Sequence, residues 1–160
     1  MTSNSKEFKI HRATADKLLK GLTERIAEHN DNPYKPYFVE RAVVFGSYVN
    51  DPGREMLSDL DIGLKLGYRY EGDFSDRVMY SDYQDILTRC PSYAGMGEEP
   101  MYIWELTFQE TLRFLRNRSH YISVHLIGQD EAIFSGVTKE IEVGTINRTI
   151  DDTTAFGDLS

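Results

Sequence analysis

The chain carries one cysteine, Cys90, among 160 residues, so it can form no disulfide within itself and no thiolate-bound metal cluster. Its apolar runs fall far short of the roughly 20 residues that a membrane-spanning helix requires. Positive charge is in deficit: 18 Lys and Arg against 26 Asp and Glu leave a net charge of −8 and a pI near 5.0. Gripping a nucleic-acid backbone takes clustered cations, so nucleic acid is not an expected partner. The opening Met1-Thr2-Ser3-Asn4-Ser5-Lys6-Glu7 lacks the apolar centre of a secretory signal, and a cytoplasmic location is expected. No internal repeat or low-complexity tract divides the chain. With 40% hydrophobic residues, one compact domain over 1–143 and a polar, frayed C-terminal tail over 144–160 are expected.

Apolar periodicity supplies the elements. Ala15, Leu18, Leu19, Leu22, Ile26 and Ala27 recur at spacings of three and four and predict a helix over 11–29. Asn30-Asp31-Asn32-Pro33 ends it. Val- and Phe-rich residues 38–45 predict a strand, with a short turn or helix after Ser47. Residues 59–66 predict a second strand closed by Gly67, and 121–127 a third. A helix is expected from Asp73 or Ser75 to about Arg89, then a loop over 90–100. Thr107-Phe108-Gln109-Glu110 matches a capping box, which predicts a helix from there to about Arg118, and 101–106 could form a short strand. Residues 130–134 and 140–150 carry no decisive pattern. This order predicts an α+β domain: a mixed β-sheet flanked by helices.

Chemistry concentrates in one segment. Ala42-Val43-Val44-Phe45 ends in Gly46-Ser47; eleven residues later comes Asp59-Leu60-Asp61. Positions i and i+2 of a strand face the same way, so Asp59 and Asp61 project together, as two ligands of one hard cation must. Magnesium takes oxygen ligands and is commonly held by one or two carboxylates plus phosphates. Gly46 permits close backbone approach, and Ser47 opens a turn whose free N–H groups suit an anion. A plain hairpin with a Pro52-Gly53 turn would explain part of the segment, but not two acids on one face of an apolar strand.

Gly46-Ser47 followed by Asp59-x-Asp61 resembles the signature of the DNA polymerase β-like nucleotidyltransferase superfamily, above all its small prokaryotic minimal nucleotidyltransferases. The resemblance implies a nucleotidyltransferase-like fold. It implies that Gly46 and Ser47 bind the triphosphate of a nucleoside triphosphate, that Asp59 and Asp61 coordinate Mg2+ as metal ligands and catalytic residues, and that a nucleoside monophosphate passes to a hydroxyl of a protein or small molecule. A protein partner with an all-helical, toxin-like domain is an acceptor that the resemblance implies.

Two departures qualify it. The family's third carboxylate would fall near Ser123 or His125, and neither is acidic. His125 would then be the general base, a role that suits the residue type; or Glu105 would supply the acid from a strand over 101–106; or the site binds nucleotide without turnover, as an inactive nucleotide-binding or interaction module. The second departure is Tyr48, where many small members carry a cation. Arg54 is the nearest positive charge for phosphate, and equally reads as a solvated turn residue. Tyrosines and acids between Gly67 and Trp104 are expected mainly to pack and to solvate, with a cationic acceptor as the sharper reading. Arg113, Arg116 and Arg118, with His120, are expected to serve a helix C-terminus.

Overall fold

The computed structural model describes residues 10–96, 99–129 and 136–149. The chain forms β1 (Ile10–His11), α1 (Arg12–Asp31), β2 (Tyr37–Phe45), a single turn α2 (Ser47–Asn50), β3 (Met56–Leu57), β4 (Leu60–Tyr68), α3 (Gly72–Arg89), a 3-10 segment (Pro91–Met96), α4 (Pro100–Arg116), β5 (Ile122–Leu126) and β6 (Lys139–Ile141). The fold is α+β. Four strands make a mixed sheet in the order β5-β4-β2-β6. β4 and β6 flank β2 in antiparallel pairing, and β5 lies parallel to β4. β1 and β3 form a separate antiparallel pair.

Strand alternation sorts the sheet into two faces. Leu60, Ile62 and Leu64 of β4, with Val39, Ala42 and Val44 of β2, join Leu22 and Ile26 of α1 and Leu115 of α4 in the main core. A second cluster joins α3 to α4 through Met79, Tyr83, Ile86, Ile103 and Leu106, with Tyr37 of β2. The odd-numbered positions of β4, among them Asp61, face away from the main core. Asn30, at the end of α1, is fully buried. Its amide takes the place of a strand partner at the register shift between Val39 and Arg41: Oδ1 accepts from Val39 N–H at 2.8 Å, and Nδ2 donates to the carbonyls of Val39 and Val143, both at 2.9 Å.

Several expectations differ from the fold. Residues 101–106 are helical, because α4 starts at Pro100, whose fixed φ and missing N–H suit a first helical position, and the buried series Ile103, Leu106, Leu115 continues one stripe. Thr107 therefore begins nothing. It is buried within the helix, where its hydroxyl donates to the Ile103 carbonyl at 3.0 Å. Glu105 rides the exposed face of α4, where it accepts from Gln109 at 2.7 Å, and its charge is felt by Tyr37 at the end of β2 remote from Gly46. It is not on a strand beside Asp61. Gly67 lies inside β4 rather than closing it, and a β-carbon there would stand 2.5 Å from the Phe38 ring. Of the expected tail, residues 144–149 lie against the body: Asn147 donates to the Asn30 carbonyl at 2.9 Å, and the Arg148 guanidinium sits over the Phe38 ring at 4.8 Å. Positions 130–134 and 150–160 lie outside the described residues.

Candidate functional site

The site assembles where β2 ends and β4 begins. Gly46 follows β2 with φ 78° and ψ −159°, a region essentially restricted to glycine. Its carbonyl accepts from Val49 N–H at 3.1 Å and Asn50 N–H at 2.9 Å, which closes the turn that Ser47 opens. A β-carbon at position 46 would stand 2.3 Å from Asp61 Oδ2. Gly46 and the Asp61 carboxylate are thus packed in direct contact.

Asp61 is the register partner of Phe45 across the β2–β4 ladder. It is half-buried, and burial pushes its carboxyl above the usual range; the imidazole of His125 opposes that shift and the charge of Asp59 adds to it. Asp59 comes immediately before the strand, and its Oδ1 is shielded from solvent. Asp59 thus stands just outside the strand that carries Asp61, and its charge is felt at the Asp61 carboxyl.

β5 runs beside β4 next to Asp61. Its parallel register sets Ser123 against Asp61 and His125 against Gly63. Ser123 Oγ and His125 Nε2 are 3.2 Å apart, and Nε2 lies 3.9 Å from Asp61 Oδ1. The Phe45 ring meets the imidazole edge-on, with centroids 5.3 Å apart. Ser123 and His125 are thus the neighbours of Asp61 on the adjacent strand.

Arg54 belongs to the turn between α2 and β3, where it lies 3.6 Å from the Asp51 carboxylate. Two residues that the sequence reading passed over bear on the same turn. Arg12 donates to the carbonyls of Tyr48, Asp51 and Arg54. Asn50 donates to the Gly46 carbonyl at 3.0 Å and accepts from Val137 N–H at 3.0 Å. A cation in the first turn of a helix opposes the helix dipole, so Arg12 at the start of α1 was a signal in the sequence.

Among the described residues, no group of three or more His, Cys, Asp or Glu is arranged to hold a metal unaided. Two clustered carboxylates of a hard oxygen donor set, one packed on a glycine, nevertheless fit magnesium, which fills its remaining positions with phosphate oxygens and water. A cleft of about 750 Å3 opens elsewhere, between α1, α3 and α4, with His29, Asp82, Arg89 and Phe114 in its walls. It holds none of the site residues. Among the described residues no helix is long and apolar enough to cross a membrane. No family model, no curated protein and no solved structure matches the chain.

Proposed function

We propose that the chain is a magnesium-dependent nucleotidyltransferase of the DNA polymerase β-like kind, which moves a nucleoside monophosphate from a nucleoside triphosphate to a hydroxyl of a protein or small-molecule acceptor. One observation carries the reading: Gly46, Asp61 and His125 meet at one point of the sheet, with Asp59 and Ser123 beside them. Asp59 and Asp61 would hold magnesium, which neutralises phosphate charge and polarises the phosphoryl group. Gly46 and Ser47 position the β- and γ-phosphates. His125 accepts the proton of the acceptor hydroxyl at Nε2. The hydroxyl oxygen bonds to the α-phosphorus, the bond from that phosphorus to the bridging oxygen breaks, and pyrophosphate leaves. An all-helical protein partner is the acceptor to try first.

The register of β5 favours a second reading, because the residue facing Asp61 is Ser123 and not an acid. On that reading the site binds the nucleotide and transfers nothing. Both are tested by incubating the protein with labelled ATP, CTP, GTP and UTP and candidate acceptors, with and without magnesium, beside the Asp59→Asn/Asp61→Asn variant. Magnesium-dependent labelling that the variant loses supports transfer. Magnesium-dependent binding without labelling supports the second reading. Binding that the variant retains overturns both.

A further inference from the structure

Arg12 is the first residue of α1, where a guanidinium opposes the helix dipole. The side chain serves the turn after Gly46-Ser47 instead. Nε donates to the Arg54 carbonyl at 2.8 Å, Nη1 to the Tyr48 carbonyl at 3.0 Å and Nη2 to the Asp51 carbonyl at 2.8 Å. The Arg12 backbone N–H adds a bond to the Glu55 carbonyl at 2.8 Å. The guanidinium also lies over the Tyr48 ring, 4.9 Å from its centroid, and the Tyr48 hydroxyl donates to Asp16 on the next turn of α1. One residue thus gathers four carbonyls between positions 48 and 55. Only a planar fork with several donors can reach three diverging carbonyls at once.

We infer that Arg12 is a positioning residue for the candidate site, fixing the shape of the turn that follows Gly46-Ser47. From the other side Asn50 ties the Gly46 carbonyl to Val137. With its carbonyls drawn towards α1, the turn is held in one conformation before a ligand arrives, so binding pays no ordering entropy there. The inference rests on the nucleotide reading and explains how a cradle with Tyr48 after Gly-Ser keeps its form.

The test uses the full chain and its Arg12→Gln and Arg12→Lys variants. Binding of the α,β-methylene analogues of ATP, GTP, CTP and UTP with magnesium is measured by titration calorimetry, and hydrogen exchange of amides 48–55 is followed in parallel. Both variants are expected to raise exchange in that segment at least tenfold and to raise Kd at least tenfold. Arg12→Lys should not rescue, because an ammonium on a flexible stem cannot span three carbonyls. If Arg12→Gln fails to fold, Arg12→Lys carries the same test. A Kd within twofold of wild type in a folded variant overturns the role of Arg12 while leaving the nucleotide reading intact. A wild-type chain that binds none of the four analogues overturns the nucleotide reading and the inference with it.

Discussion

The Asp61 carboxylate occupies the space that a side chain on residue 46 would need, its Oδ2 lying 2.3 Å from the position of a β-carbon there. Gly46→Ala must either displace Asp61 or move the turn, and it must also force alanine into a glycine-only backbone region. Roughly 2 kcal/mol or more of stability should be lost, together with any nucleotide binding. Denaturant unfolding and calorimetric titration check the two effects. An alanine variant as stable as wild type would mean that the turn is free to shift.

Asp59 and Asp61 set stability against function. Burial and the neighbouring carboxylate disfavour ionised Asp61, so Asp61→Asn should leave the melting temperature unchanged or raised. Magnesium with a nucleoside triphosphate should stabilise the wild-type chain by about 2.7 kcal/mol at a hundredfold excess over Kd. The Asp59→Asn/Asp61→Asn variant should show no such shift. Thermal unfolding with and without ligand reads both outcomes.

His125 meets Ser123 and Asp61 at Nε2. If it takes the acceptor proton, His125→Ala should lower kcat on the order of 10²-fold and leave nucleotide Kd within about threefold. Steady-state kinetics and calorimetry separate the two. Brisk transfer that survives the substitution would place the base elsewhere.

His29 gives the fold a pH dependence of its own. Burial above all, then the charges of Lys35 and Arg69, lower its pKa from 6.5 to about 4. Between those values the unfolded chain binds a proton that the folded chain does not. Stability from this group is therefore complete above about pH 6.5 and falls as pH drops towards 4, by up to about 3 kcal/mol. His29→Gln cannot titrate, so its stability deficit relative to wild type should narrow by that amount across the window. Urea unfolding at pH 7, 6, 5 and 4 measures it, and a constant deficit would show that His29 charges freely in the fold.

The sequence exposes some of this architecture and hides the rest for physical reasons. Asp59 and Asp61 stand out because carboxylates on an apolar strand need a compensating partner, and β2 and β4 because their apolar runs are long. The start of α4 is hidden because Thr107-Phe108-Gln109-Glu110 imitates a helix start in mid-helix, while Pro100 reads equally well as a loop breaker. Asn30 reads as a helix stop; its second role, pairing with Val39 and Val143, depends on partners that periodicity cannot see. Arg12 and Asp16, four positions apart on α1, give no hint in the sequence that Tyr48 lies against both. Arg54 is the cation nearest Gly46-Ser47 in the sequence, and its proximity to Asp51 within the same turn is a local contact that spacing alone does not reveal.

The pairing of β2 with β6 has a consequence for the order in which the chain can fold. Arg41 and Glu140 join across it at a separation of 99 residues, and Asn30 waits for Val143 across 113. At synthesis rates of about 5–20 residues per second, the outer edge of β2 stands open for roughly 5–20 seconds after it leaves the ribosome. An open edge is a template for another chain, and charged residues on it are a common guard; Glu40 and Arg41 lie on this strand. A nascent chain stopped before Lys139 should therefore self-associate where the longer chain does not. Equal solubility of the two would show that Glu40 and Arg41 guard the edge alone.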